Sequence, residues 1–335
     1  MKRFLLPLLL LSAVPFKAPA SEYELLKNFP AGRLAALSAG DRPDANGFTG
    51  GNRSEKRWME AGMQRGGCRA VVAAVVAGNL AAADDAWRAI DTAFAHQLPD
   101  GGFESNPRGK GDIGPADPHT ARVQAAFFFM QELGRAVLVI RESPHEAHFH
   151  ARIAALEPKV RRGCAFIQAG YDTIIENSSK AVNRLFIAAK AFGLCGLVLH
   201  DDQLVATAHQ LVALALTLRD EGGVFIEKGG RDSSYNAVSI LFGEQLAAHL
   251  ALPEFAAALP AVVAWQLTMI RESGEVDVSA NTRTGVGTET YLGQSKGVKY
   301  NEVVFALTHY GLERGDAKAL AAADKVLAWS QAKGK

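Results

Sequence analysis

The sequence predicts an all-α protein in which helical hairpins repeat and close into a ring. A turn containing glycine recurs between apolar stretches, at residues 99–103, 220–225 and 272–276. Aligning Gly223 with Gly274 gives a period of 51 residues (274 − 223). A more degenerate relative at 168–172 gives the same spacing when Asp172 is aligned with Gly223 (223 − 172 = 51). A repeat of this size indicates supersecondary units that bury their apolar faces on their neighbours.

The helices follow in order from apolar spacing and from helix breakers. In the first half we predict helices at 23–37, 58–76, 81–97, 118–139 and 146–169, the last with Pro158 inside it. In the second half we predict helices that end at 199, 218, 250, 270, 312 and 329. Pro118 stands at a position that suits the first turn of a helix, and Ser178 or Ser179 is a suitable N-cap. Outside the turns, no sustained period-two alternation indicates strands beyond short hairpins.

The second helix of each predicted pair is the more apolar, at 125–130, 185–191, 237–242 and 303–307. A helix that is apolar nearly all round is buried on both sides, so we assign these helices to an inner ring. Four to six pairs fit the length. The alternative is an open α-solenoid, which would leave its edges exposed.

The first twenty residues have the pattern of an export signal. Lys2 and Arg3 precede an apolar stretch, and Ala18-Pro19-Ala20 gives a small-x-small pattern before Ser21. The stretch is shorter than the roughly 20 residues that a membrane-spanning helix needs, although an uncleaved anchor is the alternative. We predict a signal peptide at 1–20, one domain at 21–335, and a periplasmic or secreted protein with no stable membrane insertion after cleavage.

Composition excludes several classes of function. With 36 Lys and Arg against 35 Asp and Glu, the chain lacks the basic excess of nucleic-acid-binding proteins. Cys68, Cys164 and Cys195 have no CxxC spacing, so buried core residues are favoured over a disulfide scaffold. No dinucleotide fingerprint, P-loop, GxSxG or HExxH motif occurs. His145, His148 and His150 include a His-x-His pair, whose side chains point apart on a helix, so no metal site is predicted; no cofactor is predicted either.

Polar residues at the beginnings of the inner helices are expected to face one shared cavity. Arg184 lies 12 residues after Asp172 (184 − 172), and Tyr235 lies 12 residues after Gly223 (235 − 223). Equivalent offsets in adjacent repeats predict that both side chains lie at the same depth on the same face.

The glycine turns at 100–103 and 221–225, set between helical pairs, resemble those of α/α-toroid proteins. That group includes polysaccharide lyases, several glycoside hydrolases and the terpene cyclases; no DxxDD motif of a terpene cyclase occurs. The segments 222–227, 232–236 and 183–185 most resemble secreted uronate-polysaccharide lyases of this architecture. The resemblance covers about residues 80–330 as a pattern and is specific only in these short stretches. It implies an acidic polysaccharide substrate, cleavage by β-elimination, and a Tyr and His pair as acid and base.

The residue types at the inner helix starts suit that chemistry. A lyase removes the proton next to a uronate carboxylate and needs a cation or amide to neutralise the developing charge. We assign this to Arg184 and Asn183, proton transfer to Tyr235, and the base or its partner to His119. Arg184 would also favour the phenolate form of Tyr235. The further residues assigned to substrate binding are Arg122, Glu227, Arg231, Asn236, Lys299, Tyr300 and Asn301.

Each catalytic assignment has a structural alternative. His119 could bond the helix backbone, Arg184 could pair with Glu176 or Asp172, and Tyr235 could be a rim residue. Two other functions stay open. A glycoside hydrolase on the same toroid would use facing carboxylates, drawn from Glu104, Asp112, Glu227, Asp232 and Glu289. A non-catalytic glycan-binding protein would stack sugars on the aromatic residues Phe103, Tyr235, Tyr291 and Tyr300.

Overall fold

The computed structural model describes residues 21–106, 117–287, 290–291 and 294–334, and the predicted signal peptide lies outside these ranges. The described residues form fourteen α-helices, which confirms the all-α class. They are α1 Glu22–Lys27, α2 Arg33–Ser38, α3 Gly50–Glu55, α4 Arg65–Val76, α5 Leu80–Ala95, α6 Pro118–Glu142, α7 Glu146–Ala169, α8 Tyr171–Ser178, α9 Val182–Leu199, α10 Asp202–Thr217, α11 Ser233–Ala247, α12 Pro253–Thr268, α13 Tyr300–Arg314 and α14 Ala317–Ala332. Two 3₁₀ helices lie at Ala39–Asp41 and Ala61–Gln64, and Thr290–Tyr291 pairs antiparallel with Gln294–Ser295 as β1 and β2.

The described helices form a toroid of five hairpins. Helices α4, α6, α9, α11 and α13 pack side by side in that order as the inner layer. Each is followed in the chain by a helix that folds back on it, namely α5, α7, α10, α12 and α14. Helix α1 packs against α4, α6 and α13, and so connects the first and the last inner helices.

Burial separates the inner helices from the outer ones, as predicted. Fourteen of the fifteen residues of α11 are buried, against six of the sixteen residues of α12. Two inner helices, α6 and α9, are long and apolar enough to cross a membrane. Their apolar windows are 83% and 89% buried inside the fold, so their composition is that of core helices.

The three glycine turns are built alike. They follow α5, α10 and α12, and in each the glycine N–H donates to the carbonyl three residues earlier, at 2.9 Å in Gly101, Gly223 and Gly274. Their φ angles are +89°, +77° and +91°, a region that favours glycine. A Cβ atom on Gly101 or Gly274 would also lie 2.1 Å from a backbone oxygen of the neighbouring outer helix. The predicted repeat between Gly223 and Gly274 is therefore confirmed.

The fourth turn, predicted at 168–172, is wrong. Helix α7 ends at Ala169 and α8 begins at Tyr171, with only Gly170 between them at φ −89°. The chain there continues as helix instead of forming a glycine turn. Arg184 and Tyr235 nevertheless occupy equivalent places, because each is the third residue of an inner helix, α9 and α11.

Two further expectations are tested by the fold. The helix predicted at 23–37 is divided into α1 and α2, because Pro30 and Gly32 lie between them and Gly32 has a φ of +75°. Cys68, Cys164 and Cys195 are buried and form no disulfide, as the core interpretation predicted.

A buried ionic network fastens α1 to the inner helices. Glu22 accepts a hydrogen bond from Arg135 Nε at 2.6 Å, and its other carboxylate oxygen lies 3.0 Å from His249 Nε2. Glu132 lies 3.4 Å from Arg135 and 3.1 Å from Lys190 Nζ. Burial alone would raise the pKa of Glu22, but Arg135 and His249 hold it well below its usual range. The network therefore keeps its charges paired inside the ring.

His249 makes the stability of this network depend on pH. Burial opposes its charged form, but hydrogen bonds to Glu142 and Glu22 outweigh burial and raise the pKa of His249 from 6.5 to about 9. The stabilisation is complete below pH 6.5 and is lost as pH rises through 9, at about 1.4 kcal/mol per pH unit. We expect the difference in unfolding free energy between wild type and His249→Gln to shrink by about 3 kcal/mol between pH 6 and pH 10.

Urea unfolding at each pH measures this difference, with His209→Gln at an exposed position of α10 as the control. A difference between wild type and His249→Gln that stays constant over the whole pH range would contradict the assignment of a charged His249.

Candidate active site

A cavity of about 380 Å³ lies inside the ring. All five inner helices contribute to its wall, mostly from their N-terminal halves, together with the segments 60–63 and 295–299 and with Arg283. The charged residues in the wall are Arg65, Arg69, Arg184, Arg283, Lys296, Lys299, Glu60 and Glu302. Six cations against two carboxylates leave a formal excess of four positive charges (6 − 2) in a chain whose net charge is only +1. Asp41 and Glu227, which are not wall residues, pair with Arg69 and Arg283 and reduce this excess to two (4 − 2), so the nearly balanced composition conceals a cavity of positive net charge.

Tyr235 is the aromatic residue around which these cations gather. The guanidinium of Arg283 lies 3.9 Å from the centre of its ring, and Nζ of Lys296 and of Lys299 each lie 5.9 Å away. All three distances are within the range of cation–π attraction. The tyrosine is only 7% exposed, so water screens these charges weakly.

Asp232 places Tyr235 and the segment that carries Arg283. As the N-cap of α11, its Oδ1 accepts hydrogen bonds from the N–H groups of Ser234 at 3.1 Å and Tyr235 at 3.0 Å. Its Oδ2 accepts from the N–H groups of Arg283 at 3.1 Å and Thr284 at 2.7 Å. A single buried carboxylate thus joins the beginning of α11 to the loop after α12.

Glu227 joins the beginning of α9 to Arg283 in a similar way. Its Oε1 accepts from the Asn183 N–H at 2.7 Å, where the N-cap residue Ala181 has no side chain to do so. Its Oε2 binds Arg283 Nη1 at 2.8 Å. Burial raises the pKa of Glu227 to about 7, against the opposing effects of Asn183 and Arg283. Glu227 is fully buried behind the cavity wall, so it positions Arg283 and Asn183 and is not placed to touch a substrate.

Three of the four predicted catalytic residues meet in the cavity. Asn183, Arg184 and Tyr235 all line it, as does Lys299 from the predicted binding set. Asn183 is 5% exposed, and its Oδ1 has no hydrogen-bond partner within the described part of the chain. Arg184 Nη1 lies 3.4 Å from the carbonyl oxygen of Asn177. The equal offsets in the repeat therefore led to residues that share one cavity.

His119 is placed elsewhere. It is the second residue of α6, its side chain is exposed, and its ring lies 6.1 Å from that of Phe166. It is not among the residues described as lining the cavity. A catalytic role for His119 stays a prediction, and His119 has no part in the cavity described above.

Arg122 and Arg231 each form an ion pair with an aspartate in one of the three glycine turns. Arg122 binds Asp100 at 2.7 Å and stacks on Phe166, with 5.0 Å from its guanidinium carbon to the ring centre. Arg231 binds Asp220 at 2.5 Å and lies 5.5 Å from the ring centre of Trp265 in the same way. Each arginine thus connects a turn to an outer helix, and neither appears in the described cavity wall.

The remaining predicted binding residues make contacts between helices. Asn236 is buried and donates to Gln266 Oε1 at 2.9 Å. Tyr300 packs on Trp329 with 4.9 Å between ring centres, and Asn301 is exposed. None of the three belongs to the wall as the described residues define it.

The carboxylates proposed for a hydrolase are occupied or lie outside the described ranges. Glu227 and Asp232 bind backbone N–H groups as above, and Glu104 lies 2.7 Å from His96 Nδ1. Asp112 and Glu289 are outside the described residues. Of the aromatic residues proposed to stack on sugars, Phe103 is buried in the core, and nothing is described of the Tyr291 side chain. Among the side chains of that set that the structure describes, Tyr235 alone lines the cavity.

Sequence reasoning missed much of the wall. Arg65 has a signal, because it begins an apolar helix that has no acidic residue in its first turn, and Arg69 follows it about one turn later. Cations are unfavourable at that end of the helix dipole, which is a reason to suspect a function. Glu60, Glu302, Arg283 and Lys296 have no comparable pattern. Burial raises the pKa of Glu60 to about 7 despite the opposing charge of Arg65.

Comparison with solved structures finds this architecture in another protein. Polysaccharide Lyase BACCELL_00875 aligns with a TM-score of 0.52 at 10% sequence identity. The alignment covers 93% of this chain and 46% of that one, so this chain spans less than half of that lyase. At this identity the likeness shows the toroid fold alone. No protein-family model matches the sequence, and no curated protein matches it at a significant level.

We expect Glu227→Ala to lower the free energy of unfolding by about 3 kcal/mol, because it removes a buried carboxylate from Arg283 and leaves the Asn183 N–H without its acceptor. The matched control is Glu221→Ala in the exposed part of the same loop, which should change the unfolding free energy by less than about 0.5 kcal/mol. Chemical denaturation measures both values. Equal effects of the two substitutions would refute the positioning role of Glu227.

Proposed function

We propose that this protein is a polysaccharide lyase that cleaves a uronic-acid-containing polysaccharide by β-elimination. The observation that carries the proposal is the buried phenol of Tyr235 in a cavity with an excess of positive charge. The toroid fold shared with a polysaccharide lyase is consistent with it, but fold alone does not establish function.

The charge of the cavity favours an anionic substrate. Arginine and lysine side chains that are partly shielded from water bind carboxylates strongly. A volume of about 380 Å³ is near the lower end of ligand pockets, roughly 300–1,000 Å³, so it suits a few sugar units of a chain. We infer that Arg184 and Asn183 bind the uronate carboxylate, with Asn183 Oδ1 free to accept a hydrogen bond from a sugar hydroxyl.

The elimination requires two proton movements and no water. A base removes the proton from the carbon next to the carboxylate, and the electron pair forms a double bond as the bond to the 4-linked oxygen breaks. The departing oxygen takes up a proton, so the atoms balance without a cofactor. Cations that neutralise the carboxylate also stabilise the enolate-like charge.

Tyr235 is the residue to which we assign the proton transfer. Three cations lie within 6 Å of the centre of its ring, and positive charge there stabilises negative charge that develops in the transition state. A phenolate can take the proton and, as a phenol, return it to the departing oxygen. Glu60, with a pKa of about 7, is a second group in the cavity that can exchange protons near neutral pH.

We also propose that the protein is exported from the cytoplasm. It is supported by the basic, apolar and small-residue pattern of residues 1–20. An acidic polysaccharide outside the cytoplasm would be a substrate that matches this location.

We expect Tyr235→Phe to lower kcat on a cleaved uronate polymer at least ~100-fold, because it removes the proton-transferring group and leaves the ring. The measurement is ultraviolet absorbance of the unsaturated sugar end, after alginate, glucuronan, pectate and hyaluronan have been screened as substrates. The matched control, Tyr171→Phe, changes a tyrosine that packs on Phe192 away from the cavity and should retain activity. Unchanged turnover in Tyr235→Phe would overturn the assignment.

We expect Arg184→Ala to lower kcat/KM on the same polymer by ~10- to 100-fold, the effect of losing a hydrogen bond to a charged group. Lys228→Ala, at an exposed position of the loop before α11, is the control and should be nearly neutral. Steady-state kinetics on both variants provide the values. Equal losses would show that Arg184 does not bind the substrate carboxylate.

One observation favours a second candidate, a glycoside hydrolase. Glu60 and Glu302 both line the cavity, and a carboxyl group with its pKa raised to about 7 suits a general acid. A hydrolase would produce new reducing ends without an ultraviolet signal, and Glu60→Gln would abolish this activity while Tyr235→Phe would not. Binding without either product would indicate a glycan-binding protein.

A further inference from the structure

A second cluster of titratable side chains lies near the C-terminal ends of α11 and α13, away from the cavity wall. It consists of Glu244 on α11 and of His309 and Glu313, one helical turn apart on α13. One potential ligand atom from each residue lies within 4.8 Å of the other two. The three residues therefore form a cluster that joins two neighbouring inner helices.

The buried members of the cluster lack hydrogen-bond partners. Glu244 is 1% exposed and His309 is fully buried. Both carboxylate oxygens of Glu244 and both ring nitrogens of His309 have no hydrogen bond to any described residue. A polar group that is buried without a hydrogen bond destabilises the fold. His309 Nδ1 and Glu244 Oε1 lie as close as an ion pair without forming a hydrogen bond, which suits a polar ligand that bridges them.

The distances match the edges of a metal coordination shell. His309 Nδ1 lies 3.6 Å from Glu244 Oε1 and 3.8 Å from Glu313 Oε2. Both separations are too long for good hydrogen bonds. Ligand atoms bound to Zn²⁺ at about 2.0–2.2 Å in a tetrahedron lie about 3.4 Å from one another, so a small inward movement would complete the site.

We propose that Glu244, His309 and Glu313 bind a divalent transition-metal ion, Zn²⁺ in the first place, which fastens α11 to α13. Imidazole and carboxylate ligands suit this ion, and a water molecule would complete a four-coordinate shell. Glu313 is 36% exposed and gives the ion a route from the solvent. The site is structural, and it does not depend on the proposed lyase activity.

The test uses purified protein that has been stripped with a chelator and then supplied with Zn²⁺. We expect about one zinc per chain by elemental analysis. At a free zinc concentration of a hundred times Kd we expect Tm to rise by about 4 °C. Mg²⁺, which prefers an all-oxygen shell, should produce no rise.

Two variants locate the ion. Glu313→Gln changes a partly exposed ligand without disturbing the core, and it should abolish the rise in Tm and the bound zinc. Glu254→Gln, at an exposed position of α12, is the matched control and should behave as wild type. If the wild type takes up no zinc, the cluster is an ion pair only. If Glu313→Gln binds zinc as well as the control does, the ion lies elsewhere, and either result overturns the proposal.

Discussion

The structure depends on one constraint, which is that its inner helices are buried on almost every side. Such helices are stable only when other helices surround them, and a ring of hairpins achieves this with α1 connecting the two ends. The side chains inside the ring are then largely apolar, so polar groups collect at the helix ends or in networks of ion pairs. Glu22, Arg135, Glu132 and Lys190 form such a network, and the basic cavity contains residues from the beginnings of the inner helices.

The cavity is organised by two carboxylates that do not line it. Asp232 caps α11 and holds the backbone of Arg283, while Glu227 caps α9 and binds the guanidinium of the same arginine. Tyr235, Asn183 and Arg283 therefore come from three segments but share two anchors. This arrangement fixes the charge of Arg283 against the buried phenol of Tyr235. Burying such a charge destabilises the fold unless bound partners hold it in place. The proposed catalytic residues are therefore positioned by loop carboxylates that bind the first turns of α9 and α11.

The repeat and the inner helices could be predicted from local pattern. The turn glycines require positive φ, and the apolar composition of α9 and α11 marks them as inner helices. Equal offsets within the repeat also placed Arg184 and Tyr235 in one cavity, although the turn assigned near Asp172 is a helix boundary. Arg283 and Glu60 could not be found in this way, because they reach the cavity from segments without periodicity. The sequence also assigned Glu227, Arg122 and Arg231 to substrate binding, and nothing local shows that the partners of these residues are a distant helix start and two glycine turns.

Incorporation of oxygen from water into the products tests most directly whether this cavity performs elimination. A susceptible uronate polymer would be digested in water enriched in heavy oxygen, and the fragments would be weighed by mass spectrometry. β-Elimination consumes no water, so the account predicts fragments without heavy oxygen, one end of each cleaved bond being lighter by one water than a hydrolysis product. One heavy oxygen per cleaved bond would contradict the account and assign the cavity to hydrolysis.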